Sequence, residues 1–312
     1  MSIASEITAL NTNLEAAKDA VTDKGGTVGD TGLAGLASEI GSIPSGGGEP
    51  SSYGVVKYDD GGVLKTVTMA TASDYYMLGS IKTNVAGNYL INNTSVDKNS
   101  IVEVEIFEGV TSIPSYFLYY DTNLEKVTLP STIQTIGDNF CGYCSKLDCE
   151  LTLTNVKDVG ASFLRNCTIF NHPIIFTKVT AISSNFMQSC TAFNSNIALG
   201  NSLISIGQHF LDGCWAFAKS LTIPSSIYSP SAYIYGIGRY FMYNCKNFTG
   251  PLSCECSSSN VSVDFPEYLV TTDSSASMYT TGITLTGAYA QDWKTHLPDR
   301  DTSPYRKLIV DS

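Results

Sequence analysis

Charge is scarce in this 312-residue chain, where only 15% of residues are charged, and acidic residues prevail to a formal net charge of -11 and a pI near 4.6. No Lys/Arg cluster appears, which argues against a nucleic-acid partner, because phosphate-backbone binders carry a basic patch. No apolar run reaches the ~18 residues a membrane-spanning helix needs, so membrane insertion is not expected. The opening Met1-Ser-Ile-Ala-Ser-Glu-Ile has neither a basic start nor an apolar stretch, so no secretory leader is expected either. Histidine is limited to His172, His209 and His296, none set in sequence beside a plausible partner, and His209 reads as an exposed turn residue. The glycines of Ser45–Gly48 lack the Lys and Ser/Thr of a phosphate loop. The chain therefore reads as a non-enzyme, with no catalytic residues, no cofactor and no metal.

What is present is repetition. An anchoring phenylalanine recurs as Phe117, Phe140, Phe163, Phe186, Phe210 and Phe241, at spacings of 23, 23, 23, 24 and 31. Four residues before it stands Ile113, Ile136, Val159, Ile182, Ile206 or Ile237, and seven before it Val110, Ile133, Val156, Val179, Leu203 or Ile234. Seven after it comes Leu124, Leu147, Phe170, Phe193, Phe217 or Phe248. An apolar alternation then opens the next unit, such as Val127 and Leu129, Leu151 and Leu153, or Leu221 and Ile223, and period two marks a short strand with one buried face. Each unit is expected to hold a strand, a turn, a second aliphatic pair and a helical or 3₁₀ turn carrying Phe-apolar-x-x-Cys. One unit has too few apolar side chains to offset the entropy of ordering it, so the copies must stack as a solenoid and need caps.

The nine cysteines fit the same columns. Cys144, Cys167, Cys190, Cys214 and Cys245 stand four after the anchor, with Asp121 as the exception in the first copy; Cys141 takes the apolar column and Cys254 an inward strand position. Free cysteine packs as a small hydrophobe, so these thiols are expected to be reduced and buried. Cys141-Gly142-Tyr143-Cys144 matches a redox pattern, but its repeat columns already account for both cysteines. Cys149 and Cys256 have no column.

These columns resemble the BspA-like, or Treponema-type, leucine-rich repeat, as in KVTLPSTIQTIGDNFCGYCSKL from Lys126 to Leu147. The resemblance covers residues 101–256 and implies a mainly β solenoid of short parallel strands, capped at both ends. It also implies an adhesive role, since such repeats occur on bacterial surface proteins and phage-encoded proteins. The units depart from the L-x-x-L-x-L-x-x-N type, so that type's helical convex face is not implied.

Around the solenoid the chain divides into residues 1–45, a linker at 46–52, an amino-terminal cap at 53–100 and a carboxy-terminal cap at 257–312. Ile3, Ile7, Leu10, Leu14, Ala17 and Val21 form a heptad seam, read either as a two-helix hairpin packed on itself or as a self-associating coiled coil, with a trimer favoured among homo-oligomers. This segment, through KGGTV and a second helix, resembles modules near the ends of phage tail and other virion proteins. That resemblance implies an attachment end that meets other virion proteins. In the first cap, Val55–Tyr58 and Val63–Met69 alternate as strands around an Asp59-Asp60-Gly61-Gly62 turn. In the second, Ala288–Leu297 suits a helix and Tyr305–Val310 a strand.

Binding is expected away from the strand face, whose outward column reads Glu105, Thr128, Thr152, Ile175, Ala198 and Thr222. The candidates are the aromatics of the turns and of the insertion in copy six: Tyr119, Tyr120, Tyr143, Trp215, Tyr228, Tyr233, Tyr235, Tyr240 and Tyr243. Aromatic rings with a polar handle favour interfaces and sugar rings. The first expectation is a virion tail-tip or fibre adhesin binding a host surface glycan or protein. The alternatives are a bacterial BspA-like surface adhesin, and a virion decoration without a receptor.

Overall fold

The computed structural model describes residues 50–80, 87–228, 236–260, 283–296 and 308–310. The amino-terminal seam, and Tyr233 and Tyr235 of the insertion, lie outside the described residues. Asp59-Asp60-Gly61-Gly62 makes the expected tight turn: Gly61 and Gly62 take φ of 67° and 89°, and Asp59 Oδ1 accepts the Gly62 N–H at 2.6 Å. The strands on either side are β1 (Gly54–Asp59) and β2 (Leu64–Met69). After them come a helix α1 (Ala72–Met77) and a second hairpin, β3 (Asn88–Ile91) and β4 (Thr94–Asp97), neither of which was expected. Its signal was there to see: Asn92 and Asn93, which tolerate φ of 46° and 60°, sit between alternating Tyr89, Ile91 and Val96.

β1 pairs antiparallel with β5 (Ile101–Ile106), and so covers the open edge of the first strand ladder. From β5 onward the copies stack in two parallel ladders. The second is continuous: β6 (Ser112–Ile113), β8 (Thr135–Ile136), β9 (Asp158–Val159), β11 (Ala181–Ile182) and β13 (Ser205–Ile206) pair in register, and Ile237 bridges to Ile206. The first is not. There β5 pairs with β7 (Lys126–Thr128), and β10 (Ile174–Ile175) with β12 (Ile197–Ala198), while β14 (Leu221–Ile223) pairs with β15 (Leu252–Cys254). The expected strand at Leu151–Leu153 does not form. Pairing lapses after β7, where Leu151–Leu153 forms no strand to bridge Val127 and Ile174, and again between β12 and β14. At the first of these lapses the Cys149 thiol plugs the gap, accepting the Val127 N–H at 3.3 Å.

The Phe-bearing segments are not helical. Each is a run of turns with left-handed residues flanking the anchor, as in Asn139, Cys141 and Tyr143 with φ of 59°, 49° and 66°. A non-glycine residue there costs about 1–2 kcal/mol. The conformation lets backbone groups reach both neighbours: Asn139 and Tyr143 donate to the carbonyls of Ala161 and Arg165 at 2.7 and 2.6 Å, and Cys141 to Phe117 at 2.9 Å. A third line of inter-copy hydrogen bonds therefore runs along the axis. A helical turn would have spent these groups internally.

The core lies between these three lines. From Phe140 to Phe241 the anchor rings stack near-parallel with centroids 5.4, 5.1, 5.3 and 5.0 Å apart, and Phe170, Phe193, Phe217 and Phe248 form a second stack. All nine cysteines are free and buried. The thiols of Cys144, Cys167, Cys190, Cys214 and Cys245 donate to the carbonyls of Leu118, Cys141, Leu164, Met187 and Leu211 in the preceding copy, at 3.0–3.2 Å. Cys256 is packed under α2 (Ala290–His296), whose Trp293 Nε1 donates to the Cys256 carbonyl at 2.7 Å. Glycine before the anchor has a packing reason: a Cβ on Gly160 would fall 2.5 Å from the Asp138 nitrogen of the copy before it.

Asp121 departs from the cysteine column because its neighbour is the cap. It is fully buried, accepts the Tyr89 hydroxyl at 3.2 Å, and leaves Oδ1 without a partner. Burial raises its pKa to about 8, against the pull of nearby Lys98, whose own pKa burial lowers. Lys98, also buried, donates to the Tyr119 carbonyl. At the far end, β16 (Ile283–Thr286) and β17 (Leu308–Val310) continue the first ladder in parallel beyond the last copy, so this cap extends the sheet.

Candidate binding edge

The left-handed turns decide what faces outward, because the residues one before, two after and three after each anchor share one edge of the solenoid. In the first two copies that edge is aromatic. Tyr120 and Tyr143 stack with centroids 4.2 Å apart, Tyr119 meets Tyr120 edge-on at 4.6 Å, and Tyr116, absent from the expected set, meets Tyr119 at 5.5 Å. Burial among its neighbours pushes the Tyr119 phenol up to about 12. The Arg165 guanidinium lies 5.7 Å from the Tyr143 ring centre.

The same edge becomes aromatic again at the other end. His209 stacks flat on Tyr240 at 4.6 Å, and Tyr240 meets Tyr243 edge-on at 5.6 Å. His209 is thus not the exposed turn residue expected: its side chain is 28% exposed and its Nδ1 lies 2.7 Å from Asp212 Oδ2. Sequence adjacency missed this pair because it forms three residues apart across a left-handed turn. His172 likewise meets Asp148 of the preceding copy at 3.2 Å. Between the aromatic ends the edge is polar, with Gln188 Nε2 donating to Asp212 Oδ2 at 2.9 Å.

Two candidates lie off this edge. Trp215, 50% exposed, sits further round the turn with the Lys246 ammonium 4.9 Å from its ring centre. Tyr228, 58% exposed, donates its N–H to Ile204 beside the second ladder. The aromatic residues are therefore two groups along one edge plus two outliers. On the strand face Glu105, Thr128, Thr152, Ile175, Ala198 and Thr222 are all exposed. Among the described residues no group of His, Cys, Asp and Glu could hold a metal ion, and no helix is long and apolar enough to cross a membrane.

Units that cannot fold singly, joined by three lines of hydrogen bonds and presenting one continuous edge, define a leucine-rich repeat solenoid, a class of typically non-enzymatic binding scaffolds. The chain belongs to the BspA-type leucine-rich repeat family, whose model, described as BspA type Leucine rich repeat region, matches six copies over residues 78–170 and 157–251. No curated protein and no solved structure matches it.

Proposed function

We propose that this protein is a non-enzymatic adhesin that binds a surface receptor through the aromatic edge of its solenoid. The observation that carries this reading is the segregation of side chains: tyrosines gather at both ends of one edge, while the strand face offers mostly small residues. Proteins of this family are commonly adhesin-like surface proteins, which agrees with it. In its finer form the adhesin belongs to a virion tail and the amino-terminal segment is its attachment end; that form rests on the resemblance of residues 1–45 alone. The family match suits a bacterial surface adhesin equally, and the genes beside this one, for tail and lysis or for surface anchoring, separate the two.

The binding test compares Tyr143→Ala, Tyr240→Ala and Tyr243→Ala with Thr128→Ala, Thr152→Ala and Thr222→Ala in cell binding, with folding checked by circular dichroism. Truncating an interfacial aromatic anchor costs about 2 kcal/mol, roughly a thirtyfold loss of affinity. The tyrosine variants should lose binding and the threonine variants keep it. The opposite pattern assigns recognition to the strand face.

A further inference from the structure

The two aromatic groups lie on one edge but several copies apart, and the polar side chains between them repeat with the rungs. Copies three and four contribute half-buried Arg165, Asn166, Gln188 and Ser189, planar or hydroxyl-bearing groups suited to sugar hydroxyls, while Asp212 of copy five is buried and holds Gln188 and His209. Arg165 Nε and Gln188 Oε1, a donor and an acceptor on adjacent rungs, have no hydrogen-bond partner. Parallel strand pairing sets the rise per rung at about 4.8 Å, and adjacent anchor rings from Phe140 to Phe241 lie 5.0–5.4 Å apart, so the rungs repeat on the scale of one sugar unit of an extended β-1,4-linked chain.

We propose that this edge binds a neutral, extended β-linked polysaccharide lying along the solenoid axis, about one sugar per rung, with its ends against the tyrosine groups and its middle on the polar strip. The proposal rests on the adhesin reading and names the receptor's chemistry. Neutrality follows from the net charge of -11, which would repel a polyanion. Extension follows from the match in repeat length, since a coiled chain of the same sugars falls out of step after one or two rungs. Arg165 Nε and Gln188 Oε1 are covered, so either side chain turns slightly outward to meet a hydroxyl.

The experiment is calorimetric titration of the full-length protein with neutral β-1,4-linked hexamers of glucose, N-acetylglucosamine, mannose and xylose, with the corresponding dimers, and with the coiled α-1,4-linked glucose hexamer. At least one extended hexamer should bind more tightly than its dimer, while the coiled hexamer does not bind. Tyr143→Ala and Tyr240→Ala should each weaken the hexamer about tenfold or more, and Gln188→Ala should weaken the hexamer while leaving the dimer unchanged. Equal binding of coiled and extended hexamers, or no length dependence, overturns the axial arrangement. If no extended hexamer binds while cell binding still depends on Tyr143 and Tyr240, the receptor is not such a glycan and the adhesin reading stands; if cell binding ignores both tyrosines, that reading falls as well.

Discussion

The two strand ladders are built by the same copies, yet one runs unbroken from β6 to β13 while the other lapses between β7 and β10 and again between β12 and β14. The difference lies in what each tolerates. The second ladder sits close to its anchor phenylalanine, where glycines such as Gly160 bring backbones within a distance no side chain allows. The first ladder lies further from its anchor, ten or eleven residues after it, so the anchor holds its strands less closely. Stacking of the phenylalanines continues past both lapses, so the core fixes the rung and the first ladder follows where it can.

Gly160→Ala should do the most harm, because its Cβ would meet backbone of the copy before it and neither copy can give way alone. A loss of about 1–3 kcal/mol is expected in denaturant unfolding. A smaller loss would mean that the second ladder is as forgiving as the first. Cys149→Ala tests the other side of the comparison: it leaves the Val127 N–H without its acceptor and should cost about 1 kcal/mol, with Cys149→Ser recovering part of it. If Cys149→Ala matched Gly160→Ala, the thiol would be holding the first ladder together instead of filling a gap in it.

A third test reads a pH slope and concerns the copy that meets the cap. The folded Asp121 carboxyl titrates near 8 against an ordinary 3.8, so its contribution to stability is fully present below about pH 4 and is lost as the pH rises through 8. Asp121→Asn should flatten that decline in thermal unfolding between pH 4 and 9. An unchanged slope would place the pH dependence elsewhere.

The solenoid was legible because six columns recur together, and burial follows those columns at every described position. The cysteine column was legible as apolar. Its thiol-to-carbonyl bonds were not, since they depend on the neighbour's turn conformation. The helical reading of the Phe segments failed for the same reason: spacing of apolar residues cannot tell a helical turn from alternating left-handed residues, although Asn139, Ser162 and Asn185 before the anchor were a hint that φ is positive there. Of the edge, residue types could be read but not partners. His209 with Asp212, and Arg165 with Tyr143, meet only once the copies turn and stack.

The third line of hydrogen bonds has a mechanical meaning. Two ladders alone would leave the turn side of each interface free to hinge, and a pull on one end could peel rung from rung starting there. With bonds such as Asn139 to Ala161 and Tyr143 to Arg165 closing that side, tension along the axis is shared between the turn side and the second ladder even where the first ladder lapses. Separation then requires several bonds to fail at once, which makes the repeat array stiff in tension as well as stable at rest.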